Sequence, residues 1–369
     1  MSLGIGVLGC GSVFTGPYGA MIERLEAAGR AHVGAVYDVD ERRRRAAAAR
    51  YDVDPELCGP EALLGLDGVD VVLVLTSMNE HGPLAEAALR AGKHVLVEKP
   101  MATSLQQAAT LVELARAGRN LLVCAPHVIL SPTFRAIHDA VEAGAVGRLL
   151  SARARYGWAG PWWGEWFYRP GGGALFDVGI YNVTSLCALL GPARRVTAMV
   201  GVVVPQRLVE RRTIRVEADD TAHVLLDFGE SRFAAVTTGF TMQKYRSPAI
   251  ELYGDEGTIQ LLGEDWAPAG WELWQNSEAC WRSYPESAPD WQWTEGLRHL
   301  VDCVESGRPT ITRPEHAYHA LEIMLAAKTA GAAGVAIPIE SDFPAPAYDT
   351  PLEARPACLA HDPRSRNAG

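Results

Sequence analysis

The first residues that could do chemistry are a Glu-Lys pair at the end of a short apolar strand. Residues 95–97 are Val, Leu and Val, an apolar run typical of a parallel strand covered on both faces. Pro100 has no N–H to donate and stops the strand, so Glu98 and Lys99 fall at its carboxyl end. In a doubly wound sheet, ligands bind in the crevice outside the strands' carboxyl ends. The pair is therefore a candidate for an active site, and the alternative is an exposed surface ion pair.

A glycine-containing turn near the N-terminus is the second candidate. An apolar strand from Leu3 runs into Gly9 and Gly11, and residues 18–28 are a predicted helix. Two such glycines allow a tight turn and let backbone N–H groups approach a pyrophosphate, which a helix N-terminus attracts. Phe14 stands at the position of the third glycine of the dinucleotide-binding fingerprint, so the helix cannot pack as closely on the strand.

An acidic residue follows the turn at the spacing that dinucleotide binding requires. Residues 32–37 are a second predicted strand, which ends at Asp38, where a carboxylate would accept hydrogen bonds from the adenosine ribose. Strands and helices continue to alternate, with helices over 40–50 and 82–91 and strands over 69–75 and 120–125. This alternation predicts a doubly wound parallel α/β domain, in which the strand before Glu98 counts as the fifth and 120–125 as the sixth.

Four motifs in order resemble the glucose-fructose oxidoreductase and inositol dehydrogenase family (Gfo/Idh/MocA). One motif is Gly-x-Gly with the later Asp38, and another is Glu98-Lys99-Pro100. Between them, Thr76, Asn79 and His81 form a Thr-x-x-Asn-x-His pattern in the loop after a strand. The fourth is the segment 171–181, Gly-Gly-Gly-Ala-Leu-Phe-Asp-Val-Gly-Ile-Tyr, and residues 253–259 resemble the family's strand-turn-strand. The match extends from about Leu3 to about Ile339.

The resemblance implies an NAD(P)-dependent dehydrogenase or ketoreductase that acts on a sugar, inositol or related polyol. It implies an N-terminal Rossmann domain (1–125), a substrate-binding and oligomerisation α+β domain (126–342) with an open, mainly antiparallel sheet, and a Pro/Ala-rich tail (343–369). The implied catalytic residues are Lys99, Asp177 and Tyr181. The residues expected to bind the cofactor are Gly9, Gly11, Ser12, Val13, Phe14, Asp38, Thr76, Asn79, His81, Glu98 and Lys99.

The catalytic residues would have to move a proton, because the nicotinamide itself carries the hydride. A tyrosine has an ordinary pKa of about 10, and a neighbouring Lys99 ammonium would lower that value for Tyr181. Asp177 lies four residues before Tyr181, so the two share a face if residues 174–190 form a helix. The alternatives are a first-turn acid and a packed core aromatic. Many family members carry Asp three residues further on, where this chain has Thr184.

Substrate recognition is expected from an aromatic segment before the triple glycine. Tryptophans occupy positions 158, 162, 163 and 166, and indole rings suit the apolar C–H faces of sugars. The residues expected to bind substrate are Lys99, His127, Trp163, Arg169, Asp177 and Tyr181. The rings could instead pack the sheet or an interface.

The resemblance allows three functions. Besides a dehydrogenase or ketoreductase, the family hosts glycosidases that oxidise C3 transiently, and sugar sensors that bind cofactor without turnover. The Lys99, Asp177 and Tyr181 set disfavours a sensor. NAD is expected over NADP, because Asp38 would repel a 2′-phosphate at shorter range than the arginines at 42–45 could attract it.

Composition limits the partners and location. The 369 residues suit two domains, and a net charge of −10 argues against nucleic acid. No apolar run is long enough for a membrane span and no signal-peptide pattern is evident, so we expect a cytoplasmic protein. The open sheet face predicts a homodimer or homotetramer. Seven scattered cysteines indicate no disulfide framework, and His316 and His319 lack partners for a metal site.

Overall fold

The first domain is built on a five-stranded parallel sheet. The computed structural model describes residues 2–348, and its first sheet has the order β2-β1-β3-β4-β5 with every neighbouring pair parallel. The strands are β1 Leu3–Leu8, β2 Ala31–Tyr37, β3 Val71–Val74, β4 His94–Val97 and β5 Leu122–Cys124. The doubly wound α/β domain predicted from sequence is confirmed. The strand before Glu98 is the fourth rather than the fifth, because only helices lie between β2 and β3.

Helices cover both faces of this sheet. They are α1 Gly19–Ala27, α2 Glu41–Tyr51, α3 Pro60–Leu64, α4 Met78–Arg90 and α5 Leu105–Ala117. A π-helical turn, Phe14–Tyr18, precedes α1 where the third glycine of the fingerprint is missing, and the Phe14 ring is buried. Helix α4 begins at Met78 rather than at residue 82, although Pro83 lies inside it. Asn79 and His81 therefore lie on the first turn of a helix and not in a loop.

The second domain is a nine-stranded, mainly antiparallel sheet with the order β15-β14-β13-β12-β6-β11-β10-β7-β16. Its one parallel pair is β6 with β11. The strands are β6 Leu149–Gly157, β7 Arg195–Gly201, β10 Thr221–Asp227, β11 Phe233–Gly239, β12 Ile250–Gly254, β13 Gly257–Glu264, β14 Ala267–Gln275, β15 Cys280–Pro285 and β16 Ile337–Pro338. A separate hairpin, β8 Gln206–Val209 and β9 Arg212–Arg215, interrupts the series. The predicted open α+β sheet is confirmed, whereas β8, β9, β14, β15 and β16 have no counterpart in the sequence prediction.

Four helices complete the second domain, namely α6 Pro132–Glu142, α7 Ile180–Leu190, α8 Glu295–Ser306 and α9 Pro314–Ala333. Alternate residues of the strands, such as Val224 and Leu226 of β10, face α7 and α9 in one apolar core. No helix of residues 2–348 lies on the opposite face of the sheet, and Leu225 is exposed on it. Helix α8, which the sequence does not predict, packs its apolar side against the first domain.

The C-terminal helix has surroundings that its sequence does not reveal. Arg313 is the N-cap residue of α9. His316 and His319 are buried, because the helix faces the sheet there and the ring of Phe343 stacks on His316. The chain from Phe343 to Tyr348 lies against the domain, and the rest of the predicted tail, 349–369, is outside the described residues. Among residues 2–348, no helix is long and apolar enough to cross a bilayer.

Candidate active site

Three side chains predicted to be catalytic meet where β4 ends. Lys99 follows β4, and its Nζ donates to Asp177 Oδ1 at 2.6 Å and to the Asp177 carbonyl oxygen at 2.7 Å. Asp177 lies in a π-helical turn, Leu175–Gly179, that leads into α7. The same Nζ lies 5.3 Å from the centre of the Tyr181 ring. The Lys99 and Asp177 side chains are 13% and 12% exposed, so the pair is accessible yet largely shielded from water.

The pair of carboxylates near Lys99 keeps this amine charged. Burial alone would lower the pKa of Lys99, but the charges of Asp177 and Glu98 outweigh it and hold the pKa above the ordinary lysine value. Glu98 is itself fixed, since its carboxylate accepts the Tyr18 hydroxyl at 2.9 Å and the Lys99 backbone N–H at 3.1 Å. Lys99 is thus a protonated donor in a site of low polarity.

The pKa of Tyr181 moves in the direction opposite to the sequence prediction. Burial, followed by the negative charges of Glu98, Asp177 and Asp265, raises it well above its ordinary value. The Lys99 cation lies over the ring, but it is paired with Asp177, and burial and the carboxylates outweigh it. Tyr181 is therefore a neutral phenol, and the prediction that Lys99 stabilises its phenolate is wrong.

His81 connects two segments that border the site. Its Nδ1 lies 2.8 Å from the Pro100 carbonyl oxygen and its Nε2 lies 3.1 Å from that of Thr76. The ring is buried, and burial lowers its pKa, so it is neutral and donates one N–H to these carbonyls. His81 therefore positions the Glu98-Lys99-Pro100 turn. Asn79, on the same helical turn, approaches the glycine segment, with its Nδ2 3.5 Å from the Pro170 carbonyl oxygen.

The glycine turn has the shape that a dinucleotide needs. Gly9 has φ +99°, and a Cβ there would lie 2.7 Å from the Leu75 carbonyl carbon, so only glycine fits. A Cβ added to Gly11 would meet nothing within 4 Å, which leaves open space above the backbone for a pyrophosphate. Ser12 and Val13 begin the helical turn behind it. Phe14, which stands where the fingerprint has its third glycine, is wholly buried, so its side chain belongs to the core.

Asp38 lies beside this turn with its carboxylate already oriented. Oδ2 accepts the Cys10 backbone N–H at 2.7 Å and Oδ1 accepts that of Asp40 at 2.8 Å. A carboxylate has about four acceptor sites, so ribose hydroxyls still find lone pairs. Of the four arginines that follow, Arg44 binds the carbonyl oxygens of Asp38 and Pro55. Arg43 forms an ion pair in which its Nε lies 3.6 Å from Asp40 Oδ2.

The aromatic residues extend from the cluster to the surface. The Tyr156 ring of β6 packs edge-on against Tyr181 at 5.5 Å. Trp158, two residues further on, lies 5.4 Å from Trp163, and Trp163 is 44% exposed. We call residues 158–168 the tryptophan loop. Sequence reasoning does not identify Tyr156, although its position one residue from the end of a predicted strand could have indicated it.

Two other predicted substrate contacts have different surroundings. Arg169 is paired with Glu165 and, at 2.8 Å, with Glu217, so its charge is already balanced. His127 is 1% exposed, and a Cβ added to Gly296 of α8 would lie 2.3 Å from its ring. Neither ring nitrogen of His127 hydrogen-bonds to the described part of the chain. Neither residue contacts Lys99 through a hydrogen bond or an ion pair among the described residues, and their roles stay predictions.

Two family models match the chain. One, an oxidoreductase family with an NAD-binding Rossmann fold, matches residues 3–125, and the other, the GFO/IDH/MocA C-terminal domain, matches residues 134–260. The chain belongs to the GFO/IDH/MocA family of oxidoreductases. The resemblance carried by the sequence motifs is thus confirmed, and the first domain is an NAD-binding domain. Membership of this GFO/IDH/MocA family makes the protein an NAD(P)-dependent oxidoreductase.

Two relatives of this GFO/IDH/MocA protein are named as reductases of sugar derivatives. A dTDP-3,4-didehydro-2,6-dideoxy-alpha-D-glucose 3-reductase of Streptomyces violaceoruber is 30% identical over 272 residues, which are 73% of this chain and 75% of the relative. A 1,5-anhydro-D-fructose reductase of Ensifer adhaerens is 28% identical over 309 residues, which are 81% and 88% of the two chains.

Solved structures share the fold. Levoglucosan dehydrogenase in complex with NADH and levoglucosan superposes with a TM-score of 0.81 at 18% identity, over 92% of this chain and all of the other. Aldose-aldose oxidoreductase from Caulobacter crescentus, complexed with glycerol, gives 0.79 at 20% identity over the same shares.

Proposed function

We propose that the protein reduces the carbonyl group of a keto-sugar or related polyol-derived ketone with a nicotinamide cofactor. The observation that carries the proposal is the cluster of Lys99, Asp177 and Tyr181 at the carboxyl end of β4. Ligands bind at this edge of a doubly wound sheet. The relatives named as sugar reductases support the substrate class.

The residues of the cluster divide the work of proton transfer. The cofactor supplies the hydride that forms the new C–H bond. Lys99 and Tyr181 hold their protons at neutral pH, so both can donate hydrogen bonds to the carbonyl oxygen. As negative charge develops on that oxygen, Lys99 delivers the proton that completes the alcohol. Asp177 orients the ammonium and compensates its charge. With both groups protonated, the site is in the state that reduction of a carbonyl group requires.

Substrate recognition is assigned to the tryptophan loop. Trp163 and Trp158 form an aromatic wall that begins beside Tyr156, and a sugar ring can place its C–H face on such rings. The glutamates that pair with Arg169 leave it balanced, which suits a neutral sugar better than a charged one.

A cofactor and substrate screen tests the proposed function. NADH and NADPH are each supplied with a panel of keto-sugars and ketones of polyols, and the loss of reduced-nicotinamide absorbance is followed. Reduction of at least one keto-sugar is expected. Turnover of a glycoside without net change in NADH would instead support the glycosidase alternative, and cofactor binding with no turnover on any substrate would support a sensor.

We propose NAD as the preferred cofactor. Asp38 is oriented by two backbone N–H groups and would repel a 2′-phosphate, whereas Arg44 and Arg45 are already bound to other groups of the chain. Asp38→Ala should weaken NADH binding and improve that of NADPH, measured by nicotinamide fluorescence. Tighter binding of NADPH to the unmodified protein would contradict the proposal.

We also propose that a second copy of the chain covers the open face of the nine-stranded sheet. Met199, Leu225 and Phe233, on neighbouring strands of that face, are 79%, 55% and 50% exposed. An apolar patch of this kind on a sheet face is typical of a protein–protein interface.

A further inference from the structure

Asp265 is a buried carboxyl group that the proposed reaction does not use. It lies in the turn between β13 and β14 and is 1% exposed. Its Oδ2 accepts the Asn182 side-chain amide at 3.0 Å and the Ser185 hydroxyl at 3.2 Å. Its Oδ1 makes no hydrogen bond to any described residue. A buried carboxyl group with one oxygen unpartnered is costly, so its place in the fold needs a reason.

The two partners of Asp265 lie on the helix that carries Tyr181. Asn182 follows Tyr181 directly, and Ser185 lies four residues after it, on the same face of α7. Asp177 lies four residues before Tyr181, in the turn that leads into the helix. Lys99 thus holds one end of this face through Asp177, and Asp265 holds the other end through Ser185.

A chain of rings makes a second connection from the Asp265 turn to Tyr181. Trp266, next to Asp265, lies 6.2 Å from the ring of Tyr156, and Tyr156 packs edge-on against Tyr181 at 5.5 Å. The β13–β14 turn is therefore fixed against both elements that carry these tyrosines.

We propose that Asp265 is a positioning residue for Tyr181: its carboxylate anchors α7 through Asn182 and Ser185 and adds a negative charge to the surroundings of the Tyr181 phenol. This inference deepens the proposed function and rests on it for the role of Tyr181. A phenol that stays neutral can donate a hydrogen bond to the substrate oxygen, whereas a phenolate could only accept one.

The charges around Asp265 agree with this role. The groups that interact with it electrostatically are Tyr181, Tyr156, Tyr245 and Glu264, while Lys99 and Asp177 flank Tyr181 on the other side. Burial raises the pKa of Asp265 to about 7. Since the pKa of Tyr181 lies far above that value, Asp265 is charged over the whole range in which Tyr181 would ionise.

The test measures the ionisation of residue 181 directly, without turnover. A fluorinated tyrosine is incorporated at position 181 of the full chain, since fluorine lowers the pKa of a phenol into a range where the protein stays folded. Its pKa is read from the 19F NMR shift during a pH titration. Asp265→Asn removes the charge but keeps an acceptor for Asn182, and should lower the pKa of residue 181 by about one unit.

Ser185→Ala is the matched control, because it removes one hydrogen bond to Asp265 and keeps the charge. It should leave the titration of residue 181 unchanged, because the Asn182 amide still holds the charged carboxylate against α7. Asp265→Ser repeats the test if Asp265→Asn does not fold, as judged by circular dichroism. Equal titrations in the unmodified protein and the uncharged variant would overturn the proposal, and so would a shift as large in Ser185→Ala. Because no substrate is present, a failed sugar screen does not affect either outcome.

Discussion

At the scale of residues, neighbouring charges decide what each side chain of the site can do. Lys99 and Tyr181 both have pKa values above their ordinary ranges: the Asp177 and Glu98 carboxylates outweigh burial for Lys99, whereas for Tyr181 burial is the main cause and the same carboxylates add to it. For the amine this favours the charged form, and for the phenol it favours the neutral form. The site is therefore set to donate protons and hydrogen bonds.

Removing either donor should abolish turnover while the fold remains. We expect Lys99→Ala and Tyr181→Phe each to lower kcat by about 10²–10⁴-fold, the usual contribution of a positioned acid or base. Tyr318→Phe on α9 is the control and should keep full activity. Activity within a factor of about three of the unmodified protein for either variant would refute the assignment.

At the scale of elements, the turn between β1 and α1 contains one glycine that the fold requires and one that faces the expected cofactor site. Gly9 has a positive φ and lies against the backbone of Leu75, which follows β3, whereas Gly11 faces open space. The two positions look alike in the sequence, since both belong to one Gly-x-Gly pattern. Only the packing of the turn distinguishes them.

Alanine at these two glycines should give opposite results. Gly9→Ala should cost about 2 kcal/mol or more of unfolding free energy, because its Cβ would overlap the Leu75 carbonyl group. Gly11→Ala should change stability by less than about 0.5 kcal/mol and weaken NADH binding about tenfold or more, because the new methyl group occupies the pyrophosphate space. Urea unfolding and fluorescence titration measure the two effects. Unchanged NADH affinity in Gly11→Ala would place the pyrophosphate elsewhere.

The segment between the domains carries an acid-sensitive histidine. Burial lowers the pKa of His127 to about 3, so the folded state keeps it neutral while the unfolded chain takes up a proton below about pH 6.5. Its stabilising contribution is therefore lost as pH falls below that value. Between pH 7 and pH 5 the cost is about 2 kcal/mol for one such group.

Replacing this histidine should make the unfolding free energy less sensitive to acid. His127→Leu should reduce the loss of unfolding free energy between pH 7 and pH 5 by about 2 kcal/mol, measured by urea unfolding at both values. His32→Leu, at an exposed position, is the control and should not change that loss. The same loss in His127→Leu as in the unmodified protein would show that His127 is not protonated differently in the two states.

At the scale of the whole molecule, the nine-stranded sheet presents one face to its helices and leaves the other uncovered. The exposed residues of β7, β10 and β11 lie side by side, with Met199 opposite His223 in the antiparallel register. The sheet is thus both the support of the active site and the proposed interface.

Charges on this face should dissociate the oligomer. The unmodified protein is expected to be a dimer or tetramer at micromolar concentration, and Met199→Lys with Leu225→Lys should shift it to the monomer, because lysine cannot be desolvated cheaply in an apolar interface. Val39→Lys, on the exposed surface of the first domain, should leave the mass unchanged. Light scattering measures the mass of each protein, and a monomeric unmodified protein would contradict the proposed interface.

The sequence by itself determined the parallel first domain, the open sheet of the second, the family and the cluster of Lys99, Asp177 and Tyr181. Local patterns suffice for the two sheets, because apolar periodicity, glycines at a turn and a proline at a strand end act on neighbouring residues. The catalytic set follows from the resemblance of the motifs to the family. Strands β14 and β15 and helix α8 escaped prediction, since their residues are stabilised by contacts with distant parts of the chain.

Only the tertiary structure decided the protonation of the site and the surroundings of its residues. The family resemblance implies that Lys99 lies near Tyr181, but the pKa of Tyr181 depends on burial and on carboxylates that come from other elements. The same holds for Asp265, which lies 84 positions after Tyr181 in the chain and reaches its helix through Asn182 and Ser185. Desolvation and long-range charge are properties of the folded environment, and no local pattern in the sequence encodes them.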